Sequence, residues 1–160
     1  MNIRTGSNNW SAKLNGSFKK ADDTETPEGK LENSSFRDES LNASFKYIPI
    51  ENLILNIDYQ KFAGYDVGIP GGDPFPKNAL AKYKYARRQL IDASVEYKNI
   101  TSYLLKTKLK FYQQLISRSV ELRPNPMATA NPVADHTTNG MLFQTDWFIS
   151  KTNYLVAGID

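Results

Sequence analysis

Cysteine is absent from the 160 residues, and histidine occurs once, at position 136. The first absence removes any disulfide framework, thiolate metal site or cysteine nucleophile. The second leaves Ser–His–Asp triads and histidine-based zinc sites without their parts. No run approaches the roughly 20 apolar residues that a spanning helix needs. The opening residues, Asn2 to Gly6, show no apolar stretch of the kind that marks a secretory leader. A strong charge imbalance is also missing. Twenty Lys+Arg against 17 Asp+Glu leave a net charge of +3, too small to point to nucleic acid as a partner. Hydrophobic residues (40%) and aromatics (12%) are plentiful enough to exclude a disordered polymer. None of this excludes a membrane β-barrel, whose spans hide in alternating polar and apolar residues.

The pattern that is present has a period of two rather than 3.6. Trp10, Ala12, Leu14, Gly16 and Phe18 share one face, and Ser11, Lys13, Asn15, Ser17 and Lys19 the other. Leu41, Ala43, Phe45 and Tyr47 alternate in the same way with polar neighbours, as do Leu53, Leu55, Ile57 and Tyr59, and then Ile91, Ala93, Val95 and Tyr97. A long segment sets Tyr103, Leu105, Leu109, Phe111 and Leu115 against Lys106, Lys108, Lys110, Gln114 and Arg118. Weaker alternation continues through residues 141–149 and 153–160. These segments predict an all-β, antiparallel up-and-down meander with strands near 9–19, 36–47, 53–62, 89–97, 101–120, 140–149 and 153–159. Helix candidates are poor; Ala79 to Arg88 offers a turn or two at most. The last strand runs to Asp160 without a cap, which suggests a fragment.

Connection lengths alternate. Residues 48–52, 98–102 and 150–153 are short turns, whereas 20–34, 63–87 and 123–138 are long polar links holding most of the proline and glycine. In a meander every second connection falls at the same end, so short turns gather at one end and long loops at the other, the layout of outer-membrane barrels. Tyr47, Tyr97 and Tyr103 flank the short turns on the apolar face, where a girdle at the lipid headgroup level requires amphipathic rings. Alternation alone fits a soluble all-β binding module, a sandwich or lipocalin-like cup, equally well; the loop asymmetry and the aromatic placement favour the barrel.

No enzyme emerges. His136 reads as a loop histidine, with haem-iron ligation as the sharper alternative. Gly68, Gly71 and Gly72 lack the strand–glycine–helix order of a phosphate loop and read as turn residues. Asp22, Asp23, Asp38 and Glu39 lie in or beside a loop and read as solvated or cation-binding carboxylates. The row Lys106, Lys108, Lys110 and Arg118 either pairs with Asp92, Glu96 and Asp58 on adjoining strands or guides anions by its field.

The run from Tyr47 to Tyr59, two amphipathic strands about a tight turn, and the strand–turn–strand from Thr138 to Trp147 and Asn153 to Asp160 are similar to the barrel of TonB-dependent outer-membrane receptors. The chain then resembles a partial barrel domain of about seven strands over residues 1–160, with the family's plug domain outside it. The resemblance implies a location in the bacterial outer membrane and energy-coupled uptake of a ferric siderophore, haem or cobalamin-like nutrient. It implies outer-membrane lipid as a neighbour, TonB as a partner through the plug, and a small-molecule chelate as ligand. It implies no nucleic acid, no bound cofactor and no metal site of the chain's own. The long links would then face outside the cell, and that from Ala63 to Arg87 is richest in suitable groups. Tyr65 and Phe75 offer flat apolar surface, Asp66 and Asp73 carboxylates, and Arg87 with Arg88 cations for an anionic, partly aromatic chelate.

Overall fold

The computed structural model describes residues 1–70 and 79–160. Eleven strands account for most of them. They are β1 (Asn2–Ser7), β2 (Trp10–Ala21), β3 (Thr24–Thr26), β4 (Gly29–Leu31), β5 (Phe36–Ile50), β6 (Leu53–Ile69), β7 (Leu80–Lys98), β8 (Leu104–Asn125), β9 (Ala128–Ala130), β10 (Val133–Ser150) and β11 (Asn153–Ile159). One antiparallel sheet runs β1-β2-β5-β6-β7-β8-β10-β11, with β9 paired to β8; β3 and β4 form a separate hairpin. The meander is as expected from the alternation. Four tight turns, between β1 and β2, β5 and β6, β7 and β8, and β10 and β11, lie at one end. The strand ends joined by the β2–β5, β6–β7 and β8–β10 connections lie at the other.

Register makes the period-two pattern cooperative. Trp10 opposes Tyr47, Ala12 opposes Phe45 and Leu14 opposes Ala43. Ile57 opposes Phe45 and Ala93, and Phe111 opposes Ala93 and Met141. Because a slip of one residue would turn every side chain to the wrong face, this alignment joins the apolar rows into one band across eight strands. Gln113 and Asn139, polar residues within that face, satisfy each other: Gln113 Nε2 donates to Asn139 Oδ1 at 2.9 Å.

The strands run further than the sequence suggests. Residues 63–69 extend β6 and 80–88 extend β7, so the expected 63–87 link shrinks to residues 70–79, and the helical turn considered at 79–88 is strand. β10 likewise begins at Val133, which places His136 opposite Ile116 in the ladder instead of in a loop. β1 and the short strands β3, β4 and β9 were not anticipated. They are short or polar, and a close approach made by a glycine elsewhere in the chain is invisible in one dimension. Gly68 shows the reason. Its N–H donates to the Ser35 carbonyl at 2.9 Å, and a Cβ there would collide with the Asn33 backbone carbonyl. Asn33, at φ +59°, donates from Nδ2 to the carbonyls of Ile69 and Ala81, both at 2.8 Å. The link after β4 is thereby fastened across the tips of β6 and β7.

Burial is inverted relative to a water-soluble domain. Among the described residues the buried polar or charged side chains are Asp92, Ser94, Ser119, Glu121 and Asp146, whereas Ala63 is the sole buried hydrophobic one. Phe45, Ile57, Val95, Phe143 and Leu155 are all exposed, and Phe111 is 51% exposed. A soluble sheet of this size hides its apolar face against a second layer. Here that face has no protein layer against it.

Candidate functional site

The polar face carries a continuous hydrogen-bonded and ionic ladder across β5 to β11. Ser44 donates to Asp58 at 2.5 Å, and Asn56 to Ser94 at 3.4 Å. Lys110 meets Asp92 at 3.0 Å, and Lys106 meets Asp146 at 2.6 Å. Asp146 also accepts from Gln144 and from the Tyr154 hydroxyl, both at 2.7 Å. Three donors on one deeply covered carboxylate satisfy a charge that would otherwise be costly to bury. A cleft of about 450 Å³ opens on this face, lined by Arg88, Asp92, Lys110, Tyr112, Gln114 and Thr138 among others.

The basic row read from the sequence therefore does lie on one face, and its pairing is only partly the expected one. Lys110 takes Asp92, but Glu96 is met by Lys98 at 3.2 Å and Asp58 by a serine. Asp146, the partner of Lys106, went unnoticed. Its alternation with Gln144 and Leu142 was the available signal, diluted by the weak pattern of that segment. At the long-loop end of the sheet, beyond the register shift at Tyr83/Tyr85, Lys82 lies 3.7 Å from Glu121, on the β8 row of Phe111 and Ser119, and 3.8 Å from Asp66. Among the described residues, no three or more His, Cys, Asp or Glu side chains gather as a metal site.

The six residues expected to meet a ligand separate. Asp73 and Phe75 lie outside the described residues. Arg88 turns to the polar face, where its Nε donates to Gln114 Oε1 at 2.7 Å. Asp66, at φ +50°, reaches Lys82. Tyr65 and Arg87 sit on the apolar side: the Arg87 guanidinium stands 5.2 Å from the Tyr65 ring centre and 4.5 Å from that of Tyr85. Strand parity, which assigns odd and even positions of β6 and β7 to opposite faces, separates Arg87 from Arg88.

The loop end has an ordered element of its own. Asp23 Oδ1 accepts the N–H groups of Ser34 and Ser35, each at 2.9 Å, and Lys30 lies 3.5 Å from its other oxygen. The Ser34 amide, first among these contacts, holds the Asp23 carboxyl below its usual pKa against a smaller opposing effect of desolvation.

On the apolar face aromatic residues mark two levels, with Phe45, Tyr59 and Phe111 between them. Tyr97 and Tyr85 are twelve residues apart on β7. At about 3.3 Å per residue and a tilt of roughly 35–45°, they are separated along the barrel axis by roughly 28–32 Å, the thickness of a bilayer's hydrocarbon core. Trp10, stacked on Phe45 with ring centres 6.4 Å apart, and Trp147, whose indole N–H donates to Thr145 at 2.9 Å, stand at the short-turn level with Tyr47 and Tyr97.

No protein-family model matches the sequence, and no curated protein matches it. Among solved structures the chain is similar to the copper transporter OprC, with a TM-score of 0.81 and 14% identity. The match covers 98% of this chain and 24% of that one, so the chain spans about a quarter of its neighbour's length. At that identity the likeness concerns the fold alone.

Proposed function

We propose that the chain is part of the wall of a barrel in the bacterial outer membrane, its apolar face in lipid and its polar face lining the lumen through which a small solute is taken up. One observation carries this reading: carboxylates and serines are the covered residues, while large apolar side chains are presented outward. Lipid is the surrounding that makes such a surface stable, because removing this apolar area from water contributes roughly 25 cal/mol per Å². The spacing of the aromatic levels and the segregation of short turns from long loops support it. A soluble sandwich or cup would turn the same faces the other way.

Within that role the finer reading is a TonB-dependent receptor, coupled through a plug domain that this chain does not include. The ligand is a small metal-bearing or chelate nutrient such as a ferric siderophore, haem or cobalamin. The alternating cations and carboxylates of the polar face suit passage of a hydrated, charged solute, and the fold likeness to a copper transporter is compatible with metal-bearing cargo. The chain would act by binding and conduction, with no catalytic step.

Single-cysteine scanning tests the membrane reading; these 160 residues contribute no native cysteine, and any outside them is replaced first. Spin labels placed along residues 89–97 of the full-length protein in lipid vesicles should show oxygen accessibility at odd positions and nickel-chelate accessibility at even ones. The opposite phase would refute the barrel. Uptake of labelled ferric siderophore, haem and cobalamin by intact cells, with the proton gradient collapsed in a parallel arm, tests the finer reading. Uptake insensitive to the gradient would exclude energy coupling.

A further inference from the structure

Above the apolar band, on its outward face, the register gathers an unusual set of side chains. Ala63, 0% exposed, lies between Glu39 on β5 and Arg87 on β7, with Lys61 and Tyr65 on either side along β6. The Arg37 guanidinium stands 4.8 Å from the Tyr65 ring centre and that of Arg87 5.2 Å, so the two cations are held on one ring. Lys61 Nζ donates to Glu39 Oε1 at 3.0 Å, and the Tyr65 hydroxyl lies 3.4 Å from the same oxygen. Glu39 is thus engaged by Lys61, and Arg37 and Arg87 make no salt bridge among the described residues. Lys20 opposes Arg37 in the register, Asp66 shares a pocket with both, and Asp135 is two strands from Arg87.

The height of this cluster matters as much as its charge. Arg37 and Arg87 are each ten residues from a tyrosine of the short-turn level on their own strands, Tyr47 and Tyr97. That places them roughly 23–27 Å above it, at the far margin of an apolar band about 25 Å tall. Below them a shallow groove runs between Met1, Gly16, Phe18 and Leu41 and ends at Glu39 and Lys61. A second groove, among Ile3, Ala12, Leu14, Ala43, Phe45 and Ile57, opens where alanines interrupt larger side chains.

Two guanidiniums brought onto one ring on the lipid side, with the neighbouring Glu39 already engaged by Lys61, form a receptor for an anion at headgroup height, and the grooves beneath suit acyl chains. We propose that Arg37 and Arg87, stacked on Tyr65, bind the phosphate of a phosphorylated glycolipid of the outer leaflet. Its chains lie along the apolar grooves below. Guanidinium binds phosphate through paired, charge-assisted hydrogen bonds, and the stacked ring orients the fork in advance. This rests on the membrane reading above.

The full-length protein in detergent would be titrated with bisphosphorylated lipid A, with dephosphorylated lipid A and with inorganic phosphate, and retained lipid read by native mass spectrometry. Arg37→Gln/Arg87→Gln should weaken retention of the phosphorylated lipid by about tenfold or more, the loss of at least one charge-assisted contact. It should leave the dephosphorylated lipid unchanged. Arg37→Lys/Arg87→Lys should fall between. Inorganic phosphate should not displace the lipid at equal concentration; if it does, the site takes free phosphate and the lipid assignment is wrong. Arg88→Gln, on the other face, should behave as wild type. Equal retention of phosphorylated lipid by wild type and the double glutamine variant overturns the proposal, and the single Arg87→Gln gives the same ordering if the double variant does not assemble. A spin label at Ile57 in the same protein separates the two failures: oxygen accessibility there keeps the membrane reading while the lipid site falls, and chelate accessibility removes both.

Discussion

Replacing Ile91 by arginine places a charge where the structure is most specific about its surroundings. Ile91 is six residues from Tyr97 and six from Tyr85 on the outward face of β7, and is 48% exposed. In water such a half-exposed site tolerates arginine within about 0.5 kcal/mol, since it neither loses a core contact nor buries a charge. In lipid the same position lies roughly 14–16 Å from either interface, beyond easy snorkelling, and an arginine at the bilayer midplane costs about 2–4 kcal/mol. Gln113, opposite Ile91 on β8, gives its amide N–H to Asn139 but keeps a carbonyl oxygen that can accept from a guanidinium. The expected destabilisation is therefore about 2–3 kcal/mol, in the lower half of that range. Equilibrium urea unfolding of the full-length protein in phosphatidylcholine vesicles measures it. Gln60→Arg, one strand away on the polar face, is the control and should shift the midpoint little. A change for Ile91→Arg below about 0.5 kcal/mol, or equal to that of Gln60→Arg, would show that this face does not meet lipid.

Further outcomes follow from other contacts. Gly140→Ala should destabilise by about 1–3 kcal/mol, because a Cβ there would fall within the ring of Tyr112 directly opposite; Tyr112→Ala should relieve most of that loss in a double-mutant cycle read by the same unfolding assay. Asp146→Asn removes the anion facing Lys106 and should cost about 1–3 kcal/mol, since Lys106 keeps partial access to water; Lys106→Met/Asp146→Asn together should cost less than the sum of the two. Gly68→Val should free the link after β4, raising hydrogen exchange at Asn33 to Ser35 and leaving the β5–β6 turn unchanged. The Asp23 carboxyl is lowered in the folded protein, so its hold on Ser34 and Ser35 is complete above the ordinary aspartate pKa near 3.8 and is lost as pH falls below that value. Amide exchange at those two serines should accelerate on acidification through that range in wild type, and be fast at every pH in Asp23→Ala.

The class of fold and the two faces were legible because period two is a property of neighbouring residues, visible wherever five or six alternate cleanly, as from Leu53 to Tyr59. The strand extensions were not. In residues 63–69 two glycines and Asp66, which breaks the alternation at φ +50°, give a polarity and flexibility that imitate a loop. What keeps the segment extended is Tyr85 and Tyr83 across the sheet and Asn33 from a distant link, partners that lie 16 to 36 residues away. The same limit governed the site. Tyr65 and Arg87 stand out in the sequence as loop groups suited to a ligand, whereas the ladder places them in strands on the outer face, where they stack on each other. Arg37, their third member, is brought in by cross-strand register alone.

Every strand of the main sheet has for neighbours the strands that precede and follow it along the meander, with no crossover between distant parts of the chain. Mechanically, such a sheet is a zip fastener. Tension applied to one end loads a single ladder at a time and never shears several in parallel, so strands peel off singly or as hairpins, each release shielding the rest from force until the next ladder takes the load. Drawn from the membrane on a cantilever, the wall should come apart in a sawtooth whose steps match the β5–β6 and β7–β8 hairpins, and should reinsert in the reverse order by the same units.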